Sequence, residues 1–374
     1  MTNTRQDTAG QESAGHDSPG HDSAGHDSAG DVVGIRAASV SEWFAANIEG
    51  ATPPLRFELL AGGHSNLTYR VSDATGSTFV LRRPPMGAVL ATAHDMAREH
   101  KIISGVGQTS VPVAPALGLC TDIEVNDAPF YVMGFVEGVV LDASEKVEEC
   151  FPGARARVDI GSSVIEVLAA LHQVDPDTCG LGDLGRKDAY LERQLKRWRT
   201  QWESAKTREL SAMEEVADAL QANMPAQVGS GIVHGDYRLG NLMLGGNARI
   251  AAVLDWELCT LGDVMADIGF IMNNWAAPGE PRITSRGAAL PPTEAGGFCS
   301  REQFLDRYQE LTGRDVSKVD YYRAFQYWRL AAILEGVMAR YLQGVMGAQA
   351  DTDAFKEQIE GLAQAALDLV RGWD

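Results

Sequence analysis

Two polar segments flanking a short hairpin limit the fold of this chain more than any other stretch. The first reads His234-Gly235-Asp236-Tyr237-Arg238-Leu239-Gly240-Asn241, and the second Val253-Leu254-Asp255-Trp256-Glu257. Between them, Leu242 to Leu244 and Ile250 to Leu254 have strand character around the turn Gly245-Gly246-Asn247. A hairpin returns the chain to where it left, so Asp236, Asn241 and Asp255 are expected to converge. Asn241 and Asp255 would offer the hard oxygen ligands that Mg²⁺ takes beside phosphate groups, with the Asp236 carboxylate next to them. A free Asp has a pKa of about 3.9, so Asp236 is expected to be ionised at neutral pH unless burial intervenes.

The rest of the chain supplies a body for such a site. With 374 residues, 45% apolar and 22% charged, it has material for about two domain-sized cores. Residues 1–31 are polar, and Gln11 to Gly30 repeat the pentads QESAG, HDSPG, HDSAG and HDSAG. Small, turn-forming pentads bury too little apolar surface to fold, so this tail is expected to be disordered, with His16, His21 and His26 solvated. No apolar run approaches the roughly 18 residues of a membrane span, and the tail has no hydrophobic signal segment. A net charge of −19 argues against a general nucleic-acid binder. The five cysteines form an odd set without C-x-x-C spacing, so neither a disulfide framework nor structural zinc is expected, and a reducing cytoplasm fits best.

Hydrophobic periodicity divides the remainder into two parts, 32–136 and 137–374. In the first, Ser39-Val40-Ser41-Glu42 reads as a capping box opening a short helix, with Val40, Trp43, Phe44 and Ile48 on one face and Gly50 as its stop. Strands are expected at Leu55 to Ala61, Leu67 to Ser72, Thr78 to Arg82, Ala116 to Ile123 and Pro129 to Phe135, with a helix from Ala91 to Ser104. The second part is helical over Ala154 to His172, Lys187 to Ser204, Glu209 to Met224, Tyr321 to Tyr341 and Asp353 to Val370, interrupted only by the hairpin. Ala276 to Gly297, rich in Pro and Gly, is expected to be a mobile exposed loop ended by the capping box Ser300 to Gln303. The fold class is therefore α+β, a small antiparallel sheet with one main helix beside a larger, mostly helical body.

The spacing H-x-D-x-x-x-x-N, with a further Asp after the next hairpin, matches the catalytic loop and metal-binding Asp of protein-kinase-like phosphotransferases. In that reading Asp236 orients an acceptor hydroxyl and takes its proton, while Asn241 and Asp255 hold Mg²⁺ against ATP. The smaller part offers matching pieces. Gly62-Gly63-His64-Ser65-Asn66 lies between the first two strands, where the backbone of Gly63, Ser65 and Asn66 would cover phosphates. Strand alternation puts Val80 and Arg82 on one face, Val80 as a floor for adenine and Arg82 toward phosphates, with Glu99 on the next helix as its partner. Such kinases usually carry Lys where Arg82 stands, and Arg supplies a permanent bidentate charge instead. Phe130 to Gly138 has the pattern of a strand entering a hinge, with Gly134 and Val136 as backbone contacts to the nucleotide. Gly180-Leu181-Gly182-Asp183-Leu184-Gly185 fits G-x-G-x-x-G but follows no strand, so no dinucleotide site is expected. Asp267 is expected to brace the catalytic loop through backbone N–H groups, and Asp263 to cap a helix.

These residues resemble the aminoglycoside phosphotransferase and choline kinase superfamily. The similarity is strongest to the branch found as stand-alone bacterial phosphotransferases and as the kinase-like domain fused to some acyl-CoA dehydrogenases. It rests on GGHSNLTYRV from Gly62, VLRRPP from Val80, Glu99, FYVMGFVEG from Phe130, LHQVDP from Leu171, GLGDLGR from Gly180, VHGDYRLGNLML from Val233 and VLDWELCTLGD from Val253. The resemblance implies a two-lobed kinase-like fold, ATP with Mg²⁺, and transfer of the γ-phosphoryl to a small-molecule hydroxyl, with Arg accepted at position 82. It departs at Gly134, where a larger, often acidic residue is usual. Fused relatives suggest a hydroxyacyl-CoA or another lipid-derived alcohol as acceptor, and the superfamily name an aminoglycoside; a nucleotide-binding pseudokinase is the reading without transfer. An acidic cleft would select polycationic drugs, and a basic or apolar one an acyl-CoA.

Overall fold

The computed structural model describes residues 32–61, 66–86, 94–280, 283, 289–344 and 351–373. The pentad tail, Gly63, Ser65, the start of the helix expected from Ala91, and residues 281–282 and 284–288 of the loop expected at Ala276 to Gly297 lie outside them. Five strands, β1 (Arg56–Ala61), β2 (Leu67–Ser72), β3 (Thr78–Arg83), β4 (Ala116–Cys120) and β5 (Phe130–Gly134), form one antiparallel sheet in the order β1-β2-β3-β5-β4. Asp73 fixes the β2–β3 turn, its carboxylate accepting the N–H groups of Thr75, Ser77 and, from the chain before β1, Thr52.

Alternation sorts the sheet into two faces. Tyr69, Val71, Phe79, Leu81, Phe130 and Val132 pack beneath helix α1 (Ala37–Asn47), whose Val40 and Phe44 are fully buried against them. Val80, Arg82 and Tyr131 alternate to the opposite face. The capping box expected at Ser39 does not form: the helix begins two residues earlier, and the Ser39 hydroxyl donates to the carbonyl of Val125 at 2.7 Å. Strand β4 also stops short of Ile123. Asp122 caps a single turn, α3 (Ile123–Asn126), by accepting the N–H of Glu124.

Helix α2 (Met96–Val106) joins the two parts of the molecule. Its buried Met96, Ile102, Ile103 and Val106, with Tyr131 of β5, pack into the core of the larger body rather than beneath α1. That body comprises β6 (Val139–Val140), α4 (Ser144–Cys150), α5 (Ala154–Gln173), α6 (Tyr190–Ala205), α7 (Ser211–Ala222), β7 (Gly231–Val233), β8 (Leu242–Leu244), β9 (Ile250–Val253) and β10 (Thr260–Gly262), then α8 (Met265–Asn274), α9 (Arg301–Thr312), α10 (Val319–Leu342) and α11 (Thr352–Arg371). The β8–β9 hairpin forms as expected, but it is not the only β-structure here. β6 pairs with β8, and β7 with β10. These extra strands are too short for a two-residue period to show.

Helix α8 is hidden for a different reason: it is buried nearly all round, so it lacks the polar face that reveals an amphipathic helix. Gly269 permits its approach to α10, since a Cβ there would lie 2.5 Å from the backbone of Tyr322. Helix α9 starts where its sequence predicts, with both bonds of the Ser300–Gln303 capping box present. Among the described residues, no helix is long and apolar enough to cross a membrane, and all five cysteines are free thiols.

Candidate active site

Strand β7 runs into His234-Gly235-Asp236, and a buried network holds this loop from below. Asp267, in the first turn of α8 and fully buried, accepts the N–H of His234 at 2.7 Å and of Gly235 at 2.8 Å. Its third donor is His172 of α5, with Nε2 3.2 Å away. Tyr308 donates to His172 Nδ1 at 2.8 Å, which leaves the imidazole neutral with its proton on Nε2. Burial alone would raise the Asp267 pKa, but the His172 bond and the other donors overcome it and hold the carboxyl below its usual value. Gly235 has φ +86°, and a Cβ there would lie 2.9 Å from the Leu258 carbonyl oxygen, so the turn requires glycine. Asp263 stands one residue before the N-cap of α8, which is Val264 rather than the Asp263 expected; one Asp263 oxygen accepts the Met265 N–H at 3.1 Å and the other accepts from Tyr322 at 2.7 Å.

The two polar segments are sewn together above this base. His234 Nε2 donates to the Leu254 carbonyl at 2.9 Å, while its Nδ1 accepts the Asp236 N–H at 3.2 Å. The Leu254 N–H in turn donates to the Asn241 carbonyl at 2.9 Å. Asn241 Nδ2 donates to Asp236 Oδ2 at 2.7 Å, leaving Asn241 Oδ1 without a donor among the described residues. Arg238 Nε stands 3.3 Å from the other Asp236 oxygen. Burial raises the Asp236 pKa, against the pull of Arg238 and Asn241.

From the sheet, Arg82 reaches the same place. Its NH2 is 2.6 Å from Asp255 Oδ1 and its Nε 3.3 Å from Glu99 Oε2. Desolvation opposes the Arg82 charge, but Tyr131, Glu99 and Asp255 more than offset it and push its pKa up. Glu99 is buried and also accepts from Asn66 Nδ2 at 2.8 Å and from the Tyr131 hydroxyl at 3.1 Å. Burial raises its pKa against the attraction of Arg82. Asp255 adopts the left-handed conformation at φ 62°, a strained geometry for a residue with a side chain, and one that recurs at functional sites.

The remaining expected nucleotide contacts are less uniform. The Asn66 side chain is committed to Glu99 and to His94, so only its main chain is open to a ligand. Val80 is buried yet belongs to neither apolar core, as a residue facing the space between the two bodies would be. The Gly134 N–H is spent on the Pro115 carbonyl at 2.8 Å, which leaves only its carbonyl to offer, and a Cβ there would press on Pro115 at 3.2 Å. The N–H of Val136 makes no backbone hydrogen bond among the described residues.

Two site residues escaped the sequence reading. Glu257 lies 4.0 Å from Arg82, and burial together with the Asp255 charge raises its pKa to about 7 against the pull of Arg82. Its place two residues after Asp255 was the available signal. His234 was visible as part of the spacing, but its role as the tie between Asp236 and Leu254 depends on contacts that spacing does not encode.

Among the described residues, no group of three or more His, Cys, Asp or Glu is arranged as a ready-made metal site. The donor set suits Mg²⁺ nonetheless, because that ion is commonly held by one or two protein oxygens together with phosphate oxygens. Asp255 and the free Asn241 Oδ1 supply such a pair, with the Arg82 cation now standing on the Asp255 carboxylate.

A small antiparallel sheet and a helical body enclosing these groups define a kinase-like fold. The chain belongs to the phosphotransferase enzyme family, whose model matches residues 56–297. It is similar to the mouse acyl-CoA dehydrogenase family member 10, at 32% identity over 85% of this chain and 30% of that protein. The chain thus spans less than half the length of the curated relatives it matches. Among solved structures, it superposes on a candidate aminoglycoside phosphotransferase of Ralstonia eutropha with a TM-score of 0.76 at 33% identity, over 89% of this chain and 98% of that one. An amicoumacin kinase solved with AMP-PNP and Ca²⁺ shares the fold, with a TM-score of 0.56 at 16% identity over 90% of this chain and 94% of that one.

Proposed function

We propose that this protein is a small-molecule kinase that moves the γ-phosphoryl of ATP, with Mg²⁺, to a hydroxyl group, and that a hydroxyacyl-CoA is the first acceptor to test. The observation that carries this reading is the convergence of Asp236, Asn241 and Asp255 with Arg82, which arrives from a different sheet. The name of the mouse relative supports an acyl-CoA acceptor. The name of the Ralstonia protein supports an aminoglycoside instead.

In this reading Asp236 accepts a hydrogen bond from the acceptor hydroxyl and takes its proton, its carboxylate aimed by Asn241 and Arg238. Burial, by raising its pKa, makes it a better proton acceptor than a solvated aspartate. Arg82 gives its fork to phosphate oxygens while Glu99 holds its other edge. Asn241 Oδ1 and Asp255 would hold Mg²⁺, which when bound neutralises charge on the phosphates. The Gly134 carbonyl and the Val136 N–H would meet the adenine edge, and Val80 its face. The free cysteines fit a reducing compartment such as the cytoplasm.

ADP release measured with hydroxyacyl-CoAs, kanamycin, choline and sugars tests the proposal. Asp236→Ala should lower turnover by about 10²–10⁴-fold and leave ATP affinity by calorimetry nearly unchanged. Equal turnover in parent and variant would refute it. ATP binding without transfer to any acceptor would favour a nucleotide-binding pseudokinase.

A further inference from the structure

A cavity of about 550 Å³ opens beside the catalytic loop. Gly235, the neighbour of Asp236, lines it together with Glu99 and Glu257. Arg98 of α2, Arg197 of α6, and Arg329 and Arg340 of α10 line it as well. In a chain of net charge −19, most basic side chains lie on carboxylates, as Lys101 does on Asp183 and Arg371 on Glu215. Among the described residues, these four arginines do not. Among the described residues Arg98 donates to the Cys259 carbonyl and Arg329 to the Gln326 side chain, both neutral acceptors. Arg329 also has a buried Nε with no acceptor at all. Arg197 and Arg329 crowd one ring, their guanidinium carbons 5.0 and 5.5 Å from that of Trp198.

Among the described residues, the three carboxylates that line the cavity form no ion pair with them: Glu99 and Glu257 lie against Arg82, and Asp95 is the cap of α2, accepting the Arg98 backbone N–H. Ile333, Trp198 and Leu258, the last 47% exposed, add apolar surface to the lining. Gathering like charges without counter-ions costs free energy unless an anion binds among them.

We propose that this cavity holds the acceptor and that the acceptor is an amphipathic anion, its carboxylate or phosphate among the four arginines, its apolar middle on Leu258, Ile333 and Trp198, and its hydroxyl toward Asp236. The assignment of the hydroxyl end rests on the phosphotransferase reading; the anion site rests on the arginines alone. A polycationic drug is the wrong charge for this surface.

Calorimetry on the full chain, with saturating ADP and Mg²⁺ to fill the nucleotide site, tests the proposal with coenzyme A, ω-hydroxylaurate, the methyl ester of ω-hydroxylaurate, and kanamycin. Coenzyme A and the free acid should bind, the uncharged ester at least tenfold more weakly, and kanamycin not measurably. Arg329→Ala should weaken both anions at least tenfold. The double change Arg197→Ala/Arg340→Ala should do the same, and because both side chains are exposed it keeps the test open if Arg329→Ala fails to fold. Ester or kanamycin binding as tight as the acid, or anion affinities unmoved in the double variant, would overturn the proposal. Arginine-dependent anion binding without phosphate transfer to any acceptor would support the anion site and remove the kinase reading. Rapid phosphorylation of an uncharged alcohol, unaffected by the double change, would do the reverse.

Discussion

Replacing Asp267 by Asn tests whether the catalytic loop is held from below. The carboxylate accepts from three buried donors, His234 N–H at 2.7 Å, Gly235 N–H at 2.8 Å and His172 Nε2 at 3.2 Å. The first and third share Oδ2, and the second uses Oδ1. An asparagine has one carbonyl oxygen, so in either orientation its NH₂ confronts at least one backbone N–H. A buried donor left unsatisfied costs about 1–3 kcal/mol, and losing the charge weakens the surviving bonds by about 1 kcal/mol in total. The sum is a destabilisation of about 2–4 kcal/mol. At roughly 2 °C per kcal/mol for a chain of this size, Tm should fall by about 4–8 °C. Differential scanning fluorimetry at neutral pH reads this directly, with Asp183→Asn, an exposed site paired to Lys101, expected to melt like the parent. Turnover should fall as well, because the His234–Gly235 peptide that aims Asp236 loses its anchor. A variant that melts within a degree of the parent and turns over normally would refute the reasoning.

Three further outcomes follow from the same contacts. Arg82→Ala leaves Glu99 buried beside only neutral donors and should cost about 3–5 kcal/mol, together with a large rise in KM for ATP; an unchanged melting curve would argue against the ion pair. Two buried groups should each withdraw stability on acidification, in separate windows. His172 is held below its usual pKa by burial, so its contribution is present above about pH 6.5 and is lost as pH falls below it. Asp267 is also held below its usual value, so its contribution is present above about pH 3.9 and is lost as pH falls further. Glu257 and Asp263, raised to about 7 and about 6, add stability as pH falls through the same range, so the first window is read as the difference between the parent and His172→Gln, and a difference that stays constant from pH 7 to pH 5 would contradict it. Removal of Mg²⁺ by EDTA should abolish turnover and weaken ATP binding in calorimetry, and undiminished turnover would count against Asn241 and Asp255 as its ligands.

Much of this architecture was legible because the sequence states it locally. The five-stranded sheet showed through alternation, as in Tyr69 and Val71 against Thr68 and Arg70, and the long helices through their apolar stripes. Partnerships were harder to read. The pairing of Arg82 with Glu99 follows from facing positions on a strand and the next helix, whereas the 2.6 Å contact to Asp255 joins residues far apart in the chain. Ser39 looked like a cap because only its neighbours were visible, and Val125, which takes its hydroxyl, lies on a distant turn. Helix α8 was invisible for want of a polar face, and the arginine-lined cavity because its members come from three separate helices.

Helix α2 carries a lesson about boundaries. Its aliphatic side is bedded in the larger body, while Glu99, on the same helix, is gripped by Tyr131 of the sheet and by Asn66, just ahead of β2. Severing the chain between residues 136 and 137 would therefore strip Met96, Ile102 and Val106 of their bedding and leave a fragment with a raw apolar flank. A boundary drawn by chain order alone passes through an apolar core that this helix shares with the larger body.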